Sequence, residues 1–281
     1  MRFEVANELD LFAASVRGVL AGWVPPSAPI AEWLDERDEV LALRLAELGW
    51  AELWSDPALL GPAVAGAIEL GRSLAPLDLV DEPTLGAPLA VEGRVRHGAG
   101  RSHAALPLSG GGLVLVSYGE LEREPALDAI GTLVGLDARD TGVALADASA
   151  RWHAWSAVTL GYVAGLADAS LDATVAYVKT REQFGAPLGE LPAVRARLAD
   201  AAVAAEGLRL VAWASVVANE DGRPMADLAW AGPACREVTA SALQAHGAIG
   251  FALESGLHRL YRRAKTIQVW ADAVLAATAV P

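Results

Sequence analysis

The stretch YVKTREQFG, residues 177–185, joins two long segments that are rich in alanine, leucine and valine. This composition favours helices over strands. Glycine and proline interrupt the pattern at 184–187, as they do where a helix ends in a turn. We therefore predict a helix over 149–179, a turn at 184–187 and a second helix over 191–218.

Two more helices follow in the same pattern. The segment Asn219–Gly222 closes the second helix, and Pro224 precedes a third helix that ends near His246. The segment Gly247–Gly250 then breaks the chain before a last helix, which begins at about Glu254. Four long helices joined by short turns predict an antiparallel four-helix bundle over residues 149–281.

The first 88 residues predict a separate helical domain. Apolar residues recur three or four positions apart, as at Leu41, Leu45 and Leu48, which is the spacing of an amphipathic helix. Pro25-Pro26 separates a first helix from a second. Pro57 is suited to the first turn of a third helix, which runs to Gly71.

Residues 89–148 have a different character and predict a small β domain. Short apolar runs, such as Leu113–Tyr118 and Gly142–Leu145, alternate with glycine and charged residues. The run Gly110–Gly112 lacks the lysine or further glycines of a phosphate-binding loop, so we predict a hairpin turn there. The fold class is mainly α with a reduced middle β domain between two helical domains.

Composition excludes several classes of function. The net charge of −13 would repel nucleic acid and acidic membranes. No uncharged apolar run has the roughly 20 residues of a membrane span, and the first residues lack the pattern of a signal peptide, so we expect a cytoplasmic protein. Cys235 is the only cysteine, and the five histidines show no ligand spacing, so we expect no metal site.

A second motif, QAHGAIGF at 244–251, completes a pair with the first. In order and spacing the two resemble R-x-x-F-G and Q-x-x-G-x-x-G-[YF] of the acyl-CoA dehydrogenases, which are FAD-dependent enzymes. The N-terminal segments Leu45–Trp50 and Glu69–Arg72 also resemble that family's first helical domain. The resemblance covers most of the chain outside 89–148.

The resemblance implies a set of FAD-binding residues that act on the cofactor of a neighbouring subunit. Arginine can donate two parallel hydrogen bonds to a pyrophosphate, an aromatic ring can stack, an amide both donates and accepts, and glycine admits a close backbone approach. The implied residues are Arg181, Phe184, Gln244, Gly247 and Ala248. Without the family pattern, these residues are an ordinary helix-end cation, a packing ring, a capping group and helix stops.

The residues that the family uses for proton abstraction are missing. One family position for the catalytic carboxylate lies in a segment of the type Q-I-Y-E-G-T, and here Gln268–Ala273 places Ala271 there. The other position, early in the first bundle helix, is occupied by Trp155. Neither side chain can accept a proton. Asp272 is one residue, or about 100° of helical rotation, away from the base position. Pro192 stands where the family often has a cofactor-contacting glutamine. We predict no catalytic residue on this chain.

Three functions follow as alternatives. The first is a non-catalytic subunit that completes the FAD site of a full-length acyl-CoA dehydrogenase homologue carrying the catalytic glutamate. The assembly would be α2β2, resembling the smaller partner in the actinobacterial heterotetramers that act on steroid-derived CoA thioesters. The second is a self-sufficient homo-oligomeric acyl-CoA dehydrogenase that uses Asp272, Glu254 or another carboxylate. The third is a flavin-free scaffold or binding protein.

Overall fold

The computed structural model describes residues 7–23, 39–54, 56–96, 101–124, 132–135, 142–217 and 223–279. The predicted breaks at Pro25-Pro26 and at Asn219–Gly222 lie outside the described residues. Within those ranges, no helix is long and apolar enough to cross a membrane.

Among its described residues, the N-terminal part of the chain contains four helices. They are α1 (Asn7–Leu20), α2 (Glu39–Glu47), α3 (Leu60–Arg72) and α4 (Asp78–Leu85). A 3-10 turn at Pro57–Leu59 leads into α3, as expected of a proline near a helix start. The short helix α4 was not anticipated, because Pro83 lies inside it and a proline in a short segment favours a turn.

In the part of the middle region that the structure describes, the strands form two small antiparallel sheets. Their strands are β1 (Ala90–Val91), β2 (Arg94–Arg96), β3 (His103–Leu108), β4 (Gly112–Ser117), β5 (Glu122–Glu124), β6 (Thr132–Val134) and β7 (Val143–Ala144). The strand orders are β1-β2-β6-β5 and β3-β4-β7. Strands β3 and β4 form the predicted hairpin, and Gly110 and Gly111 adopt the positive φ angles that its turn requires.

The C-terminal part is the predicted four-helix bundle. Its elements are α5 (Ala148–Thr180), β8 (Glu182–Gln183), β9 (Ala186–Pro187), α6 (Pro192–Val217), α7 (Arg223–His246) and α8 (Leu257–Thr278). The third helix begins at Arg223, so Pro224 lies in its first turn. The last helix begins three residues later than expected, because Gly256, at φ +68°, interrupts the chain after a 3-10 turn.

The long helix α5 is the centre of the molecule. It packs against α3 on one side and against α6 and α7 on the other, while α8 packs mainly on α7. Two glycines bring α3 and α5 into backbone contact. A Cβ atom on Gly71 would lie 1.9 Å from the Tyr162 carbonyl oxygen, and one on Gly165 would lie 1.9 Å from the Ile68 carbonyl oxygen. The two helical domains are therefore joined at a crossing that has no room for a side chain.

This close crossing gives a stability prediction. Gly165→Ala should destabilise the protein by about 3 kcal/mol, because α3 and α5 must separate to accept the methyl group. Thermal and denaturant unfolding would measure the loss. Gly18→Ala in α1 is the matched control, since no atom lies within 4 Å of its added Cβ. That change should be neutral or slightly stabilising, and an equal loss from both variants would contradict the packing argument.

Candidate functional site

The fold brings the two sequence motifs together at one end of the bundle. The C-terminal ends of α5 and α7 are neighbours there. The rings of Tyr177 and His246 stack with their centroids 4.1 Å apart and their planes at 20°. His246 is also held by a 2.8 Å hydrogen bond between its Nδ1 and the Ala242 carbonyl oxygen. We call this region, residues 177–200 and 244–265, the cofactor end.

The backbone of Arg181 is fixed while its side chain is exposed. Its N–H donates to the Tyr177 carbonyl oxygen at 2.9 Å, and its own carbonyl accepts from the Leu188 N–H at 2.7 Å. Phe184 lies at the tip of the β8–β9 hairpin at φ +57° and is 92% exposed. Positive φ is unusual for a residue with a side chain. A large exposed ring in a defined turn is available for contact with a ligand or a second chain.

The three residues of the second motif are also exposed. Gln244 lies on the exposed face of α7 near its C-terminal end, and Gly247 and Ala248 lie in the turn that follows. Gly247 has φ +63°, and a Cβ atom added to it would have no atom within 4 Å, so a ligand could approach its backbone. Gly250 differs, since a Cβ atom there would lie 2.9 Å from the Leu243 carbonyl oxygen. The first glycine leaves the surface open, whereas the second is needed for packing.

The cofactor end is basic in an acidic protein. Residues 177–200 and 244–265 hold eight lysines and arginines against four aspartates and glutamates, although the whole chain carries −13. Both lysines of the chain, Lys179 and Lys265, are among them. Burial lowers the pKa of His258, and the charges of Arg259 and Arg262 lower it further. This end of the bundle would attract an anionic ligand.

Both family positions for a catalytic base are buried, and one of them belongs to a cluster around an ion pair. The Trp155 indole N–H donates to Asp81 Oδ1 at 2.9 Å, and Arg96 forms a bidentate pair with Asp81 at 2.9 and 2.5 Å. The Arg96 guanidinium lies 5.4 Å from the ring centroid of Trp270. Ala271, the next residue, is buried as well. The ion pair and the Trp155 ring therefore fill the space at position 155.

Asp272, the carboxylate nearest in sequence to the base position at Ala271, does not take the place of a catalytic base. Asp272 is exposed while its neighbour Ala271 is buried, as expected for residues 100° apart on a helix. Pro192 is the first residue of α6 and lies on the surface. Neither residue belongs to the buried cluster.

Sequence reasoning missed Asp81 and Arg96. They belong to different predicted domains, one in α4 and the other in β2, and no motif links them. Asp81 is 0% and Arg96 2% exposed, which is rare for charged residues unless they are paired. Only their burial in the fold identifies Asp81 and Arg96 as a charged pair in the core.

Two other features lie away from the cofactor end and the buried cluster. A cleft of about 310 Å³ lies at the opposite end of the bundle, lined by Trp152, His153 and Met225 beside the hairpin glycines. Cys235 is buried and donates to the Val163 carbonyl oxygen, and burial raises the pKa of its thiol. Among the described residues, no three histidine, cysteine or acidic side chains are grouped as a metal site would require.

Comparison with known proteins identifies the bundle. Residues 150–271 match the profile of the acyl-CoA dehydrogenase C-terminal domain. Short-chain specific acyl-CoA dehydrogenase of Bos taurus is 37% identical over 112 residues, which are 38% of this chain. The bundle of this chain is therefore an acyl-CoA dehydrogenase C-terminal domain. The match spans only 27% of the bovine protein's length.

Solved structures show that the acyl-CoA dehydrogenase fold extends over the whole chain. A variant of the Tcur3481-Tcur3483 steroid ACAD has a TM-score of 0.76 at 23% identity and covers 97% of this chain and 96% of its own. The ChsE4-ChsE5 complex of Mycobacterium tuberculosis has a TM-score of 0.75 at 18% identity, and the match covers 99% of this chain and 96% of the chain in that complex. The prediction of a mainly helical acyl-CoA dehydrogenase fold is thus confirmed.

Proposed function

We propose that this chain is a non-catalytic subunit of a heteromeric, FAD-dependent acyl-CoA dehydrogenase. The proposal rests on a contrast between the implied FAD-binding residues of this chain and the residues at its two base positions. The implied FAD-binding residues are exposed at the cofactor end, whereas Trp155 and Ala271, which stand at the two base positions, are buried and cannot accept a proton. Such a chain is suited to complete the FAD site of another subunit rather than to perform the reaction itself.

The residues at the cofactor end fit the outer part of a dinucleotide. Arg181 presents a guanidinium that can form two parallel hydrogen bonds with a pyrophosphate. Gly247 leaves backbone exposed, and Gln244 supplies both a donor and an acceptor. The surrounding positive charge favours the negatively charged cofactor. FAD, when bound, supplies the hydride acceptor for α,β-dehydrogenation of an acyl thioester.

Exposed apolar side chains beside these residues support contact with a second chain. Phe184, Ile249, Phe251 and Leu253 all lie at the cofactor end and are exposed. Apolar side chains grouped around a polar site are typical of a protein interface. A second chain that packs on these side chains would also shield a cofactor bound at Arg181 from water.

The partner we propose is a full-length homologue that carries the catalytic glutamate, in an α2β2 assembly. The structural likeness to a steroid ACAD and to a two-component complex supports this assembly and a steroid-derived CoA thioester as the substrate class. Co-expression of the tagged chain with candidate homologues from the same genome tests the proposal. A yellow complex that contains both chains is expected. Flavin bound by this chain alone would favour a self-sufficient enzyme, and a flavin-free complex would favour a scaffold.

Replacing Arg181 by Ala should weaken FAD binding by the complex about thirty- to a hundredfold, or about 2–3 kcal/mol, because a charge-assisted bidentate contact is lost. Flavin fluorescence titration of the stripped complex would measure the change. Arg181→Lys should recover only part of the affinity, since an ammonium group lacks the paired donors. Arg195→Ala, a change at another exposed arginine of the same end, is the control. Equal affinities for the Arg181→Ala variant and the wild type would contradict the proposed site.

A further inference from the structure

The two halves of the proposed FAD site are carried by different helices. Arg181 follows the end of α5 directly, and Gly247 and Ala248 follow the end of α7. A dinucleotide that contacts both halves requires a defined distance between these two helix ends, because hydrogen bonds weaken steeply as their length and angle depart from the optimum. The contacts that hold the two ends together therefore bear on cofactor binding.

The core holds the end of α5 less firmly than its middle. Every residue of 154–168 is buried, whereas only Ser170, Thr174 and Val178 are buried among residues 169–180. A segment with few buried contacts opens at a lower free energy than one that is packed on all sides. A contact between α5 and α7 at this end therefore has a large influence on where the end of α5 lies.

The stacked rings of Tyr177 and His246 make such a contact. The two ring planes are within 20° of parallel, and their centroids lie 4.1 Å apart. Tyr177 lies in the last turn of α5, and His246 is the last residue of α7. Aromatic pairs stabilise particular arrangements beyond the burial of their area, so the stack limits both the distance and the tilt between the two helix ends.

The position of each ring is passed to the binding residues through the backbone. The Tyr177 carbonyl oxygen accepts a hydrogen bond from the Arg181 N–H at 2.9 Å. His246 directly precedes Gly247, where a 3-10 turn begins. The imidazole itself is fixed, since its Nδ1–H donates to the Ala242 carbonyl oxygen at 2.8 Å. A shift of either ring would therefore move Arg181 or Gly247.

The two rings lie deeper than the residues that the cofactor would touch. Tyr177 and His246 are half-buried, whereas Arg181, Gln244 and Gly247 are exposed. Residues that contact a ligand need neighbours that are themselves fixed by packing, because a small displacement weakens the contact. The stack is placed to support the exposed residues in this way.

We infer that Tyr177 and His246 are positioning residues, whose stack sets the spacing between Arg181 and Gly247. The inference rests on the proposed function, because it concerns FAD binding at the same site. It adds two residues that do not belong to the set implied by the sequence motifs. The stack joins the two motifs into a single binding surface.

Fluorescence titration of the flavin-stripped complex with FAD tests the inference. His246→Ala and Tyr177→Ala should each weaken FAD binding about three- to tenfold, because either change removes the stack. The double variant should bind FAD about as tightly as the single variants, since the second change has no stack left to remove. Losses that add in the double variant, or unchanged affinity in either single variant, would overturn the inference.

A conservative variant and a control separate positioning from general destabilisation. His246→Phe retains a ring that can stack on Tyr177 and should restore most of the wild-type affinity. Trp54→Ala removes the edge-to-face contact of Trp54 with Trp50 in the N-terminal part, where the ring centroids lie 5.1 Å apart. That variant should lower the melting temperature and leave FAD affinity unchanged. An affinity loss in Trp54→Ala as large as that in His246→Ala, or no recovery in His246→Phe, would contradict positioning by the stack.

The variant Arg181→Ala distinguishes this inference from the proposed function. In the wild-type background it should weaken FAD binding about thirty- to a hundredfold. In the His246→Ala background its additional effect should be about three- to tenfold smaller, because Arg181 is already displaced. No effect of Arg181→Ala in the wild-type background would overturn the proposed FAD site and the inference together. Its full effect in both backgrounds would overturn the inference alone.

Discussion

Replacing Asp272 by Asn should leave turnover of the flavin-loaded complex within about a few-fold of the wild type, whereas replacing the partner's glutamate should lower it about 10²- to 10⁴-fold, because a general base contributes that much to proton abstraction. Asp272 is exposed on the outer side of α8. The two positions at which the family places its base hold Trp155 and Ala271, both buried. Steady-state assays with an acyl-CoA substrate and an electron acceptor would compare the variants.

Flavin stoichiometry follows from the same argument. The implied FAD-binding residues of this chain are exposed at the cofactor end, and its base positions hold Trp155 and Ala271, so we expect a pair of different chains to contain a single complete site. Flavin content should saturate at one FAD for each pair. When substrate is added, the flavin absorbance should bleach in a single step that accounts for all of the bound FAD. A loss of about a hundredfold from Asp272→Asn, in a complex that stays folded and yellow, would make this chain an enzyme in its own right.

Replacing Asp81 by Ala should destabilise the protein by about 3–5 kcal/mol, because it leaves the buried Arg96 guanidinium without its counter-ion. The same change removes the acceptor of the Trp155 indole N–H. Denaturant unfolding followed by tryptophan fluorescence would measure the loss. Such a variant should unfold at much lower denaturant concentration while the wild-type slope is retained.

A double variant separates the contribution of the Asp81–Arg96 charges to stability from the contribution of side-chain packing. Asp81→Leu combined with Arg96→Met should cost clearly less than the sum of the two single changes, because an apolar pair of similar volume leaves no unpaired charge. Asp147→Ala, which breaks the exposed pair with Arg151 at the start of α5, is the control and should cost less than about 1 kcal/mol. Additive losses at Asp81 and Arg96 would show that the two side chains do not stabilise each other.

The cluster around Asp81 also explains why restoring a carboxylate is not expected to restore catalysis. A glutamate at position 155 would be buried beside Asp81, and two like charges at that distance would favour protonation of one of them. It would also remove a ring from the centre of the core. A carboxylate restored at position 155 alone is therefore not expected to act as a general base.

Most of the helices were predictable from sequence because each is specified locally. The bundle helices were placed to within about three residues at the ends that the structure describes, since glycine and proline mark helix ends by their own backbone preferences. The hairpin at Gly110–Gly111 was found for the same reason. Helix α4 was missed because a short segment with an internal proline has no local signal for a helix.

The amino-acid sequence by itself determined which residues are missing and which are present. Ala271 and Trp155 cannot accept a proton in any fold, and the motifs around Arg181 and Gln244 were identifiable from their spacing. The tertiary structure alone decided where these residues lie. Burial depends on contacts between distant segments, so only the fold showed that both base positions are buried and that Trp155 lies against the ion pair of Asp81 and Arg96. For the same reason, only the fold showed that the two motifs share one exposed end of the bundle.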